Sequence, residues 1–161
     1  MSVDHDSIKA NDLLVEGKRL HGEGKYEEAV ASFDKALEIK PEFVDVWNSK
    51  GDALRLLKKY EESVASFDKA IEVDPNNADT WNYKGLTLSD MSKRDDALVC
   101  YDKASEIDPK KSVFWNNKGI TYVWLKKYEE AIASFDKVIE IDGGNLPTWK
   151  QKALALRKLK K

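Results

Sequence analysis

Tryptophan recurs every 34 residues along this chain of 161 residues, and three other residue classes keep the same period. The four series are Trp47, Trp81, Trp115 and Trp149; Gly17, Gly51, Gly85 and Gly119; the aromatic residues Phe33, Phe67, Tyr101 and Phe135; and the helix-ending residues Pro41, Pro75, Pro109 and Gly143. Independent residue classes in one phase predict an array of one small unit. Such an array buries its apolar residues between neighbouring units and has no single central core.

Each period contains two groups of apolar residues at helical spacing. In the second period, Trp47 and Leu54 mark one helix face, whereas Val64, Phe67 and Ile71 mark another. A short polar break separates the two groups, and a proline or glycine ends the second group. The pattern predicts an all-α chain with a tail over residues 1–9, four helix–turn–helix units over 10–43, 44–77, 78–111 and 112–145, and a single helix over 146–161.

The glycine series needs a physical reason, because glycine inside a helix costs about 0.5–1 kcal/mol relative to alanine. Close packing of two helices supplies one. Without a side chain at Gly51, the second helix of the unit lies against the first, and Phe67 packs nearby. In the last helix, Ala153 takes the glycine position, and no second helix follows it in this sequence.

The order of these positions (Trp, Gly four residues later, an apolar residue three further on, then a small residue, an aromatic residue, Ala and Pro) resembles the tetratricopeptide repeat from residue 10 to residue 161. The resemblance implies a right-handed α-solenoid of antiparallel helix pairs, with a concave groove lined by the first helix of each unit. The final helix would cap the core. The sequence departs from the family at Leu13, in the tryptophan position, and at Val138 and Gly143 in the fourth unit. Lysine also stands where the family usually has leucine, at Lys50, Lys84, Lys118 and Lys152.

Charge and composition argue against several classes of partner. The net charge is −2, which does not suit nucleic acid or an anionic membrane, although residues 146–161 carry six basic and no acidic side chains. No apolar run approaches the ~18 residues that span a bilayer. The first residues lack the apolar segment of a signal peptide, and Cys100 is the only cysteine. We expect a cytoplasmic protein with neither a nucleic-acid nor a membrane partner.

The sequence contains no set of residues suited to catalysis, to metal binding or to cofactor binding. The two histidines are His5, between Asp4 and Asp6, and His21, at a turn. Neither has the partners of a nucleophile or of a metal-ligand set. Cys100 stands where the other units have serine, which favours a small packing residue over a reactive thiol. We predict a non-catalytic protein without cofactor or metal.

Three asparagines recur in register on the predicted groove side of the first helices, at Asn48, Asn82 and Asn116. Asparagine is a mediocre helix former, and its carboxamide donates and accepts hydrogen bonds, so the row would hold a peptide backbone without reading its side chains. First helices roughly 10 Å apart and a peptide advancing ~3.3 Å per residue let each asparagine meet about every third peptide residue. The alternative is that these asparagines are solvated or bond to a neighbouring helix.

The C-terminal half of the predicted groove is apolar, whereas the N-terminal half is polar and mixed in charge. Tyr83, Leu86, Ile120 and Trp124, with Asn117 among them, are predicted to contact an amphipathic peptide or a partner helix. Trp124 lies outside the periodic tryptophan series, so the core pattern does not account for it. The alternative for Leu86 and Ile120 is burial between adjacent helices.

Two further interpretations concern the identity of the partner, which the sequence does not name. Family members that bind chaperone tails hold the terminal carboxylate with a clamp of basic and asparagine side chains. No register of this groove supplies the required cations, so that mode is not expected. The alternative function is self-assembly: residues 1–43, with ten acidic and six basic side chains, would meet the basic last helix of another copy, head to tail.

Overall fold

The computed structural model of the protein describes residues 5–160, and within that range nine helices follow one another. They are α1 (His5–Gly22), α2 (Tyr26–Ile39), α3 (Val44–Leu56), α4 (Tyr60–Val73), α5 (Ala78–Asp90), α6 (Arg94–Ile107), α7 (Ser112–Trp124), α8 (Tyr128–Asp142) and α9 (Leu146–Leu159). The predicted all-α, right-handed solenoid of helix pairs is confirmed.

The helices form two layers, and the way they touch explains the curvature of the stack. Each helix packs against the next one along the chain, within a unit and between units. The odd-numbered helices also contact one another in order, whereas the even-numbered helices do not. Because the odd-numbered helices lie closer together, the stack bends around them. They therefore line the concave side.

Inside each unit, the turn between the two helices depends on one residue in the left-handed conformation. Gly24 has φ 77°, and the equivalent residues Lys58, Ser92 and Lys126 have φ 61°, 62° and 60°. The N–H of the following residue then reaches back to the first helix, as Lys59 does to the carbonyl of Leu54 at 2.9 Å. L-residues rarely adopt this conformation, so the packing of the two helices imposes it.

The two helices of a unit touch at the glycine and aromatic positions, as the sequence predicts. A Cβ atom built on Gly51 would lie only 2.7 Å from Cε1 of Phe67. The same close approach recurs for Gly17 with Phe33, Gly85 with Tyr101 and Gly119 with Phe135. The rings are almost completely buried. Only glycine leaves room for a ring at this distance.

Neighbouring units are joined by a repeated contact that we call the junction triad: a tryptophan and a lysine of one unit and an aspartate of the preceding unit. At the first junction, the indole N–H of Trp47 donates to the carbonyl of Pro41 at 2.7 Å, and Lys50 Nζ lies 2.6 Å from Asp34 Oδ1. The lysine ammonium also lies 5.3 Å from the indole centroid. The other triads are Trp81, Lys84 and Asp68; Trp115, Lys118 and Asp102; and Trp149, Lys152 and Asp136.

The junction triad explains the departure from the family at the lysine positions. A leucine there would pack against the preceding unit, whereas lysine packs its stem and also pairs with an aspartate across the junction. In α1, which has no preceding unit among the described residues, Leu13 and Glu16 occupy the tryptophan and lysine positions.

Helices α1 and α9 form the two ends of the described stack. Helix α1 begins at His5, so it extends into the range 1–9 predicted as a tail; residues 1–4 of that range lie outside the described residues. Its early start is favoured by Asp6 in the first turn, and Ala10 is already fully buried. Helix α9 occupies the range of the predicted final helix apart from its end, and residue 161 is not described. The side chain of Asn145 caps it by accepting from the N–H of Thr148 at 3.0 Å.

Candidate peptide-binding groove

Two cavities on the concave side of the stack differ in their chemistry. The N-terminal cavity, about 270 Å³, lies between α1, α3 and α5 and is lined by Lys18, Asp45, Asn48, Ser49, Asp52, Asn77, Asp79 and Tyr83. The C-terminal cavity, about 390 Å³, lies between α7 and α9 and is lined by Ile120, Val123, Trp124, Lys126, Tyr128, Gln151, Leu154 and Lys158. The first is polar and the second is mostly apolar.

Beside the N-terminal cavity, ionisable side chains lie in contact with one another. The guanidinium of Arg55 lies 2.9 Å from Asp52 and 3.1 Å from Asp90, and His21 Nε2 lies 3.0 Å from the other oxygen of Asp52. Burial opposes the charge on Arg55, but its hydrogen bonds to both aspartates outweigh burial and raise the pKa of the guanidinium. In the lining of this cavity, Asp52 is therefore paired, whereas Lys18 and Asp45 make no ion pair with the described residues.

The asparagine row is not uniform in the structure. Asn82 is 5% exposed, and its carbonyl oxygen accepts from the Asn117 amide at 2.8 Å. The carbonyl oxygen of Asn48 accepts from the hydroxyl of Thr80 at 3.0 Å. The side chain of Asn116 makes no hydrogen bond with the described residues. Two of the three asparagines thus bond to the first helix of the following unit, as the alternative interpretation expects. The role of the asparagine row in peptide binding stays a prediction.

The predicted apolar contact residues also differ in their access to the groove. Tyr83 is 37% exposed, and its ring stacks on the buried Phe67 with a centroid distance of 6.0 Å. Leu86 is partly buried against the core of the third unit. Ile120 packs against the core around Phe135 and also lines the C-terminal cavity. A ligand in that cavity would therefore touch Ile120 but would meet little of Leu86.

Trp124 is the most exposed of the predicted contact residues, with 66% of its surface accessible. It is the last residue of α7, and the guanidinium of Arg94, at the start of α6, lies 5.2 Å from its ring centroid. A guanidinium on an indole face is worth about 0.5–2 kcal/mol and restrains the ring. The indole is thus held at the mouth of the C-terminal cavity without being buried.

The sequence analysis missed the contribution of α9 and of Arg94 to this site. Gln151, Leu154 and Lys158 line the C-terminal cavity, although α9 was predicted only to cap the core. The period itself contains the information needed to find them, because they stand 34 residues after Asn117, Ile120 and Trp124. Arg94 stands where the other units have tyrosine (Tyr26, Tyr60 and Tyr128), but its contact with Trp124 depends on how α6 packs beside α7.

The described residues contain neither a cluster of metal ligands nor a thiol that is ionised at neutral pH. No group of three or more histidine, cysteine or acidic side chains is close enough to hold a metal ion in residues 5–160. Cys100 is buried, and this desolvation raises the pKa of its thiol to about 11, so the thiol is protonated at neutral pH. Across the same range, every helix is too short or too polar to cross a membrane.

Family comparison accounts for most of the chain. The model described as "TPR repeat" matches residues 17–54 and 51–92. The model described as "Tetratricopeptide repeat" matches residues 78–111 and 112–145. Among curated protein sequences, none matches the chain.

Similar solved structures include PilF of Pseudomonas aeruginosa, with a TM-score of 0.88 at 21% identity over 98% of this chain and 72% of that one. A fragment of MamA from Desulfovibrio magneticus has a TM-score of 0.75 at 24% identity, covering 83% of this chain and 75% of that one. A tetratricopeptide repeat protein from Parabacteroides merdae has a TM-score of 0.82 at 18% identity, covering 93% and 60%. At such identities the likeness concerns the fold.

Proposed function

Because the chain belongs to the tetratricopeptide-repeat family, whose members generally act as non-catalytic protein-interaction modules, we propose that it binds a peptide or a partner helix in its concave groove. The observation that carries this proposal is the exposure of Trp124 beside the C-terminal cavity. A large aromatic side chain that remains in water offers apolar area whose burial favours binding. Val123, Ile120 and Leu154 extend this surface below the indole.

Polar groups along the groove would orient the bound segment. The amide of Asn116 is free of hydrogen bonds to the described residues and can donate to a peptide carbonyl or accept from a peptide N–H. Asn117 keeps an acceptor oxygen after its amide has donated to Asn82. Tyr83 would form the N-terminal limit of the apolar contact. In this proposal the buried Asn82 supports the groove from behind, whereas Asn48 lines the N-terminal cavity with its oxygen already bonded to Thr80.

The proposal is tested by selecting ligands from a random peptide library displayed on phage against the purified protein. We expect selected peptides to lose at least about tenfold in affinity for a Trp124→Ala variant, since an aromatic anchor in an interface contributes 2 kcal/mol or more. Anisotropy of fluorescently labelled peptides measures the affinity. Trp47→Ala supplies the matched control, because Trp47 belongs to the periodic series and lies at the first junction, away from the C-terminal cavity.

Two results would contradict groove binding: selected peptides that bind wild type and Trp124→Ala equally, or a library that yields no ligand. Asn116→Ala examines the polar contacts separately and should weaken binding without changing the melting temperature. Asn82→Ala is unsuitable for that purpose. Its side chain is buried and bonded to Asn117, so its removal should cost about 1 kcal/mol of stability.

A second candidate function is head-to-tail self-association, and the exposed apolar residues at the two ends favour it. Val15 on α1 and Leu146 on α9 are each 66% exposed. The two ends differ in charge, since residues 1–43 carry ten acidic and six basic side chains, whereas α9 has no acidic residue. Light scattering at low salt and high concentration would detect oligomers that dissociate as salt is raised. A monomer under all these conditions would eliminate this candidate.

A further inference from the structure

We propose that the C-terminal cavity is a specificity subsite for one bulky apolar side chain in a segment whose flanking residues are acidic. This inference rests on the proposed function and adds the chemistry of the partner to it. The cavity combines an apolar floor with a rim of unpaired cations, and both features come from residues that the family-wide core pattern does not require.

The floor of the cavity suits a bulky apolar side chain. Ile120 and Val123 from α7 and Leu154 from α9 are partly buried, and Trp124 stands beside them. The volume of about 390 Å³ exceeds what a single aliphatic side chain fills, so a large aliphatic or aromatic residue fits. Only Gln151 and the hydroxyl of Tyr128 add uncharged polar groups to the lining.

The rim of the cavity is positively charged. Lys126, in the turn after α7, and Lys158, near the end of α9, both line it, and no carboxylate does. Among the described residues, neither ammonium lies within ion-pair distance of an acidic side chain. Arg94 adds a third cation, stacked on Trp124 and likewise without an acidic partner in that range.

The lining of the N-terminal cavity, by contrast, carries three aspartates against one lysine, and two of these aspartates are paired with cations. There, Arg55 bridges two aspartates and Lys111 pairs with Asp79 at 2.5 Å. The C-terminal cavity instead keeps uncompensated positive charge around apolar surface. Complementarity therefore favours a ligand whose carboxylates pair with Lys126 and Lys158 while its apolar side chain enters between them.

A protein segment fits this site better than an anionic membrane does. The apolar residues lie inside a concavity between α7 and α9, so a single side chain on a narrow backbone reaches them. A bilayer surface is broad, so it would contact the lysines at the rim of the cavity before its apolar chains reached the residues at the floor. Anionic vesicles are nevertheless included in the test because they share the apolar and negatively charged chemistry.

The experiment uses three labelled synthetic peptides that differ in one feature each: phenylalanine flanked by glutamates, phenylalanine flanked by lysines, and serine flanked by glutamates. Fluorescence anisotropy at low and physiological salt measures their binding to the whole protein. We expect the first peptide to bind at least about tenfold more tightly than the other two. Its affinity should fall as salt rises, because the rim is exposed.

Charge-reversed variants link the preference to the rim. Lys126→Glu and Lys158→Glu should each lower the affinity for the glutamate-flanked phenylalanine peptide severalfold. Each should also reduce the dependence of that affinity on salt. Lys58→Glu is the matched control, because Lys58 occupies the same turn position in the second unit with the same left-handed backbone. It should leave affinity unchanged. Circular dichroism and melting temperature establish that each variant is folded.

Several outcomes would overturn the inference. It fails if the acidic peptide binds no better than the lysine-flanked one, or if the rim variants bind it like wild type. Binding to phosphatidylserine vesicles through Trp124 and Lys158, with no peptide bound, would assign the cavity to a membrane. If phage-selected ligands depend on Trp124 but carry no acidic residues, the inference fails while groove binding stands. If no ligand depends on Trp124, both fail.

Discussion

At the scale of the residue, the glycine series carries the tightest constraint in this protein. Each of these glycines receives the edge of a buried ring, and in the second unit a Cβ atom would come within 2.7 Å of Phe67. Ring atoms in a packed core cannot move away cheaply. The cost of glycine in a helix is therefore offset by the contact that it allows between the two helices.

This contact predicts a clear stability difference between two glycines. We expect Gly51→Ala to lower the free energy of unfolding by about 1–3 kcal/mol, the usual penalty for overpacking a core. Gly22→Ala is the control, because a Cβ there meets nothing within 4 Å. Chemical denaturation of both variants measures the difference. Equal stability of the two would show that Phe67 shifts freely and that the contact is not tight.

At the scale of the element, the junction triads determine how one unit is attached to the next. Lys118 is the most buried lysine of the series, and its ammonium lies 2.7 Å from Asp102 and 4.4 Å from the ring centroid of Trp115. The pairing partner is about half exposed, so solvent screens the ion pair. The aliphatic stem and the ring contact add packing to this modest electrostatic contribution.

We predict a measurable but small coupling within one triad. A double-mutant cycle of Lys118→Met and Asp102→Asn should give a coupling energy below about 1 kcal/mol, because one partner is solvated. Lys137→Met serves as the control. Lys137 pairs only with Glu140, on the exposed surface of the same helix. We therefore expect no significant change in the free energy of unfolding. A coupling of zero would mean that the lysine contributes only through its stem and the indole.

At the scale of the whole molecule, each unit is stabilised by its contacts with the neighbouring units rather than by one common hydrophobic core. Three separate core clusters are found among the described residues, around Phe33, Tyr101 and Phe135. Ala155 of α9 belongs to the last of them, together with Ala131 and Phe135. Helix α9 therefore covers the end of the fourth unit while its own opposite face remains in water.

Two alanines on α9 offer a test of this arrangement, since Ala155 is fully buried and Ala153 is exposed. Ala155→Glu should lower stability by more than about 2 kcal/mol because it buries a charge without a partner. Ala153→Glu should have little effect. Hydrogen exchange should show that Ala155→Glu weakens protection in α8 and α9 and leaves α1 and α2 protected. Uniform loss along the chain would indicate one cooperative core.

The period, the helix pairs and the family could be predicted from the sequence because each depends on residues that recur at fixed spacing. Tryptophan, glycine and aromatic positions report local packing that is the same in every unit, and Pro41 and Pro75 each stand just after the end of a helix that proline cannot continue. The same periodicity would also have identified Leu154 and Lys158 as groove residues.

Which side chains face the groove was decided only by the tertiary structure. Asn82 and Tyr83 are neighbours in sequence, but successive residues on a helix differ by about 100° in direction. The rotation of α5 against α7 therefore buries Asn82 beside Asn117 and leaves Tyr83 at the surface. Likewise, Arg94 reaches Trp124 only because α6 packs beside α7. Helix rotation and offset depend on all contacts between the units, and a repeating pattern of residue types does not encode them.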